Sequence, residues 1–311
     1  MLKVTFFGGH KPKGREAIMN RRKFLAALSS IAFADKIIAG SLSLDDIQSM
    51  RDGTGIDAER IEKETASYYW SNIIKQGYFA QGNNKNLLIR DKKIQQLIQE
   101  IAIPIYKTST RKDLDWLTVL VADTPRSIVG CTCGGGAIFM GTFLTKFCRT
   151  EEEFVGVIAH EVGHNEYRHT QKHLLMNGVY KSFSMMDSMS FRNTAKEHEQ
   201  FMKDLTYLAY HGYKRLNENE ADAYIVKAFL KAGYDVKRSS ACSEMLVRLG
   251  GMESGLDEKT CLYRTHPENI ARLKRVKAIQ STYANRVKPR TSGLFNELQD
   301  RVMHYEKQQR T

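Results

Sequence analysis

Val157-Ile-Ala-His-Glu-Val-Gly-His-Asn-Glu-Tyr-Arg-His169 is the stretch on which the reading of this chain turns. It contains His160, Glu161 and His164 in the arrangement H-E-x-x-H. On an α-helix, residues four apart lie one turn above each other, so both imidazoles can reach a single ion. Glu161 sits about 100° round the helix from His160 and can face a water beside that ion. Imidazole suits Zn²⁺, and three protein ligands leave a fourth position for water. Zinc lowers the pKa of such a water to roughly 7, and a carboxylate can take its proton as the water attacks a carbonyl. Phe154, Val155, Val157, Ile158 and Val162 predict that this helix runs through a core, where buried His and Glu side chains need partners.

The third ligand is sought on a second helix. Residues 214–233 carry an apolar stripe that includes Ala221, Ile225, Ala228 and Phe229, and Gly233 is placed to end the helix in a left-handed cap. Glu218 and Asp222 lie four apart on one face, and small Ala221 leaves room for close approach. Glu218 can complete a His, His, Glu site. Asp222 can accept the free N–H of a ligand histidine and fix its tautomer. The bland alternative is a solvated acidic turn. Glu220 is the competing ligand, although it points about 200° away from Glu218 round the helix.

Taken in order, His-Glu-Val-Gly-His164, Glu218-Asn-Glu-Ala-Asp222 and Thr265-His266-Pro267, with Arg272 behind them, resemble the gluzincin-type zinc metallopeptidases typified by HtpX, BepA and the CAAX prenyl proteases. The resemblance covers residues 65–280. It implies one zinc per chain on His160, His164 and Glu218, Glu161 as general base, and Asp222 as the carboxylate behind the ligands. It further implies a place for His266 near the metal, where it assists catalysis or caps the ion. The family carries an Asn-Ala stretch ending in Gly-Gly on a strand whose edge lies along the cleft, and a substrate peptide can pair with such an edge. Gly135-Gly136-Ala137-Ile138-Phe139 fits its end, whereas Val129, Gly130, Cys131 and Cys133 depart from its beginning.

A chain of 311 residues with 42% hydrophobic and 26% charged residues is that of a globular protein able to bury a sizeable core. The net charge of +12 divides evenly: residues 1–34 hold seven Lys or Arg and one Glu, a net of +6, and the remainder carries the other +6. No basic run interleaved with aromatics marks a nucleic-acid surface, so none is expected as a partner. Arg21-Arg22-Lys23, the apolar run Phe24 to Ala34 and Ala32-Phe33-Ala34 read as an export signal with Asp35 as the mature start. Asn20 to Leu25 resembles a twin-arginine signal, and Met19 is a second candidate start. The expected location is the bacterial periplasm, with peripheral association to the membrane or to outer-membrane assembly proteins. No stretch reaches eighteen apolar residues.

The fold class read from this is α+β, mainly helical, with a small sheet flanking the H-E-x-x-H helix. Residues 35–110 read as a helical region, with an amphipathic helix from Leu87 to Ile105 ended by Pro104, and 111–287 as the metallopeptidase core. Trp116 to Val121 reads as a strand, and residues 288–311 as a linker and a mostly polar C-terminal helix. Of five cysteines, an odd count, Cys242 with Cys261 is a reasonable disulfide in an oxidising compartment and one of Cys131, Cys133 and Cys148 is left over, with buried inert thiols as the alternative. The Met-rich stretch containing Met176, Met185, Met186 and Met189 reads as a lid, a surface for unfolded clients or loop filler. His169 and His173 read as structural. The function expected is zinc-dependent hydrolysis of peptide bonds in protein or peptide substrates, misfolded or envelope proteins among them. The rival is an envelope chaperone with a latent or structural zinc site.

Overall fold

A computed structural model describes residues 59, 62–63, 77–81, 84–122, 130–132, 134–172, 215–250, 269–283 and 292–309. The export-signal residues 20–34, the Met-rich stretch, Cys133, Cys261 and His266 lie outside the described residues.

Two strands, β1 (Tyr78–Gln81) and β2 (Asn84–Leu88), form an antiparallel hairpin. Helix α1 (Lys92–Tyr106) follows, then β3 (Leu117–Ala122), β4 (Gly130–Thr132) and β5 (Ala137–Gly141). Among the described residues the further α-helices are α2 (Thr142–Phe147), α3 (Glu151–Glu166), α4 (Arg215–Ala232), α5 (Ala241–Gly250), α6 (Asn269–Gln280) and α7 (Leu294–Gln308). The five strands lie in the order β1-β2-β3-β5-β4. The mainly helical α+β class holds, with a mixed sheet in which β3 and β5 run parallel and β4 returns antiparallel to β5 at the edge.

Three local expectations differ from the structure. Residues 84–88, placed in the helical region and in part in the Leu87–Ile105 helix, form strand β2, and α1 begins only after Asp91, whose carboxylate caps it by accepting from the Lys93 and Ile94 N–H groups. Pro104 does not end α1; it lies in its last turn, where only one backbone bond is given up. The strand expected to run into Gly135-Gly136 is a tight β4–β5 hairpin. Gly134, Gly135 and Gly136 all take positive φ in the turn, and a Cβ at Gly136 would stand 3.0 Å from the Asp115 carbonyl oxygen.

Helix α3 occupies the centre. Thr150 caps it by accepting from Glu153 N–H, Glu151 to Glu153 complement its positive end, and every residue from Glu153 to Glu166 is buried. A helix buried all round must be enclosed on every side. It packs against α4, α5, α1 and β4. The C-terminal helix is less peripheral than its polar composition implies: Phe295, Leu298 and Val302 enter the core, with the Phe295 ring 5.2 Å from that of Phe154. Helices α3 and α4 approach where Gly163 meets Ala221, and a Cβ on Gly163 would stand 3.0 Å from the Ala221 Cα. The room read at Ala221 is used in this way.

Candidate metal centre

The α3–α4 crossing brings together the side chains that the sequence singled out. His160 Nε2 and His164 Nε2 lie 2.9 Å apart. Glu218 Oε2 lies 3.4 Å from the first and Glu218 Oε1 3.4 Å from the second. All three residues are buried, and among the described residues they form the group able to hold a metal ion. Ligand atoms about 2.0–2.1 Å from a tetrahedral zinc stand about 3.3 Å from one another, and the Glu218 carboxylate brings one oxygen to about that distance from each imidazole nitrogen. Two imidazole nitrogens and a carboxylate converging in a dry interior are also a donor set chemically suited to that ion.

Behind the triangle, Asp222 Oδ1 lies 3.1 Å from His160 Nδ1. Arg272 on α6 donates to both oxygens of Asp222, from Nε at 2.8 Å and from Nη2 at 2.6 Å, while its Nη1 lies 3.3 Å from Glu218 Oε2. One guanidinium thus joins the Asp222 carboxylate to that of Glu218. The sequence pointed to Arg272 as part of a pattern but gave it no task. Burial alone would raise the Asp222 pKa, yet Arg272 outweighs it and holds the carboxyl at about 2. Burial pushes His160 down, but Asp222 and Glu218 beside it carry it to about 9.

Glu161 is 1% exposed. Burial pushes its carboxyl up to about 8, against the pull of His160 and of the Thr132 backbone N–H on β4. Asn165, one turn further on, ties this helix to the hairpin: its amide donates to Thr132 Oγ1 at 2.8 Å and to the Glu161 carbonyl at 2.9 Å, and its Oδ1 accepts from Gly136 N–H at 3.0 Å. Edge strand β4 is therefore held alongside Glu161.

Several functional partners escaped the sequence reading. His169 is buried and lies with Nδ1 2.8 Å from His164 Nδ1 and Nε2 2.8 Å from Glu220 Oε2. Five residues past His164 on a continuous helix it would face elsewhere, but Arg168 takes φ 56°, and the break returns His169 against His164. No glycine marks that turn in the sequence. Glu220 is not a ligand: it pairs with His169 and, at 3.4 Å, with Lys172. Burial lowers the His169 pKa, which favours its neutral ring. Arg111, 4% exposed, donates to the Asn165 carbonyl at the end of α3 and is held by Asp113 and Glu62. His266 falls outside the described residues.

The expected partner of Cys242 in a disulfide, Cys261, lies outside the described residues. Cys242 is a free, buried thiol whose Cβ stands 2.5 Å from where a Cβ on Gly156 would be, and burial pushes its pKa up. Cys131 and Cys148 are free and buried as well.

Residues 88–280 match the sequence profile of peptidase family M48. The mitochondrial metalloendopeptidase OMA1 of Schizosaccharomyces pombe is 22% identical over 194 residues, which is 62% of this chain and 54% of that protein. The chain thus spans about half the length of that relative.

Proposed function

The chain belongs to peptidase family M48, and from this and the α3–α4 geometry we propose that it is a zinc-dependent metalloendopeptidase. The observation that carries the reading is the triangle of His160 Nε2, His164 Nε2 and the Glu218 carboxylate, with Glu161 buried beside it on the same helix. Zinc held by those three residues would supply a Lewis acid able to polarise a peptide carbonyl and make water nucleophilic near neutral pH.

The chain's own groups divide the remaining work. Glu161 takes the proton of the attacking water on its carboxylate and hands it to the leaving amine nitrogen. Its buried setting favours the protonated acid, and an opposite charge at the neighbouring ligands brings it back into the range of a base. Asp222, fixed by Arg272, accepts the His160 Nδ1 proton and leaves Nε2 with its lone pair toward the ion. Edge strand β4, tied to α3 through Thr132 and Asn165, offers backbone groups along which an extended substrate segment can add as a strand.

The finer reading rests on residues outside the described set: export through the signal at 20–34, a periplasmic site of action, His266 assisting or capping the ion, and misfolded or envelope proteins as substrates. Among the described residues no helix is long and apolar enough to cross a membrane. The chaperone alternative leaves Glu161 without a task and is not favoured.

Casein digestion tests the proposal. The wild-type chain should hold one zinc and cleave, and a chelator should stop it. Glu161→Gln should keep its zinc and lose about 10²–10⁴-fold in turnover. Undiminished cleavage by that variant removes Glu161 as the base.

A further inference from the structure

The two nitrogens of His164 face different surroundings. Nε2 joins the ligand triangle with His160 and Glu218, while Nδ1 lies 2.8 Å from His169 Nδ1. His169 Nε2 in turn lies 2.8 Å from Glu220 Oε2. If His164 gives its Nε2 lone pair to a metal, its proton sits on Nδ1, and His169 Nδ1 must accept it. The His169 proton then sits on Nε2 and is donated to Glu220. Every nitrogen in the chain is assigned one role, and the reverse arrangement would put a proton on the ligand atom. The spacing to His169 comes from the left-handed turn at Arg168, not from helical periodicity.

We propose that His169 is a positioning residue of the metal centre: its imidazole accepts the His164 Nδ1 proton and, anchored by Glu220, fixes the tautomer and ring orientation in which His164 presents Nε2 to zinc. The inference rests on the reading of His160, His164 and Glu218 as a zinc site. It assigns His164 an outer partner as definite as Asp222 is for His160, but made of a second imidazole with a carboxylate at its far end. Outer hydrogen bonds of this kind orient the ring and raise its basicity, and their removal weakens metal affinity by about 10–100-fold.

The test measures zinc dissociation constants on the full chain by competition with a chromogenic chelator, alongside melting of the metal-free protein. His169→Phe keeps an aromatic ring without an acceptor and should bind zinc about 10–100-fold more weakly. His169→Asn places an amide oxygen near the lost Nδ1 and should recover to within about three-fold of wild type. Glu220→Ala, at a side chain 47% exposed, should fold normally and weaken zinc by about three- to ten-fold. Zinc affinity unchanged in His169→Phe overturns the proposal, as does an Asn variant no better than the Phe variant. Should His169→Phe fail to fold, unchanged affinity in Glu220→Ala overturns it instead. A wild-type chain that binds no zinc overturns the metal-site reading itself, and this inference with it. A wild-type chain that binds one zinc, with variants that match it, overturns this inference alone.

Discussion

The two histidines of the proposed zinc site are supported in opposite ways. His160 leans directly on Asp222, a carboxylate 1% exposed and gripped at both oxygens by an equally buried Arg272. His164 leans on the His169 imidazole, and the nearest carboxylate on that side, Glu220, is 47% exposed and shared with Lys172. One arm ends in a sealed ion pair and the other reaches the protein surface. A sealed pair is unforgiving, because neither charge has water to fall back on. An arm that ends in solvent loses less when its last member is removed, since water replaces that member in part. Two histidines with the same proposed task thus differ in how far their surroundings tolerate substitution.

The sharpest way to break this comparison is to cut the sealed arm. Asp222→Ala removes the carboxylate that Arg272 grips at two points, leaves Glu218 as its nearest counter-charge, and should destabilise the metal-free protein by about 3–5 kcal/mol, read from urea denaturation. Arg272→Met should cost a similar amount by leaving the buried Asp222 carboxylate with His160 alone. The double variant Asp222→Leu with Arg272→Met should be less destabilised than either single change, because neither member of the Asp222–Arg272 pair is left facing an apolar side chain in place of the other. Additive losses in the double variant would show that the pair is not acting as a unit.

A smaller effect separates the ligand crossing from the rest of the core. Gly163→Ala sets a Cβ 3.0 Å from both Ala221 Cα and Tyr224 Cβ, and Gly156→Ala sets one 2.5 Å from Cys242 Cβ. Each should destabilise by about 1–3 kcal/mol through overpacking. Only Gly163→Ala displaces α4 at the turn that carries Glu218 and Asp222, so only it should also weaken zinc binding. Equal zinc affinities in the two variants would mean that the crossing at Gly163 does not set the ligand spacing.

The footing of the solvent-ended arm is open to a test by pH. Arg111 holds the Asn165 carbonyl just before the turn that returns His169, and it is itself held by Asp113. The Arg111 hydrogen bonds keep the Asp113 carboxyl well below its ordinary range, against the desolvation that opposes them. A depressed carboxylate contributes stability that is complete above its unfolded pKa and is lost as pH falls through the folded value. Asp113→Asn should therefore be less stable than wild type by about 1–3 kcal/mol at pH 6. The gap should begin to narrow below about pH 4. A gap that stays constant down to pH 2.5 would remove ionisation as its cause.

The sealed arm was legible in the sequence and the other was not, for a physical reason. His160, His164, Glu218 and Asp222 all obey helical periodicity on two helices, α3 and α4, whose apolar residues announce them. Periodicity also forecast the cap at Gly233, which takes φ 81°. His169 depends on one non-glycine residue, Arg168, adopting a left-handed conformation inside what reads as an unbroken helix, and no composition signal reports that. Glu220 was set aside because it points away from Glu218; that same direction is what brings it to His169. The strand β2 was missed because Asn84-Lys-Asn-Leu-Leu88 has neither alternation nor β-branching, and pairing with β1 and β3 supplies what local propensity does not.

The mildest prediction concerns the outer end of the solvent-ended arm. Lys172 Nζ lies 3.4 Å from Glu220 Oε2, and the lysine side chain is mostly covered while the glutamate is half in water. Lys172→Met keeps the buried stem and removes only the charge, so packing is preserved and the electrostatic contribution is isolated. A partly exposed pair of this kind contributes about 0–1 kcal/mol and is screened by salt. Metal-free stability should thus change by less than about 1 kcal/mol, and whatever difference remains should shrink between low and high ionic strength. A loss approaching that of Asp222→Ala, insensitive to salt, would mean that Glu220 depends on Lys172 as Asp222 depends on Arg272, and the two arms would then be alike rather than opposed.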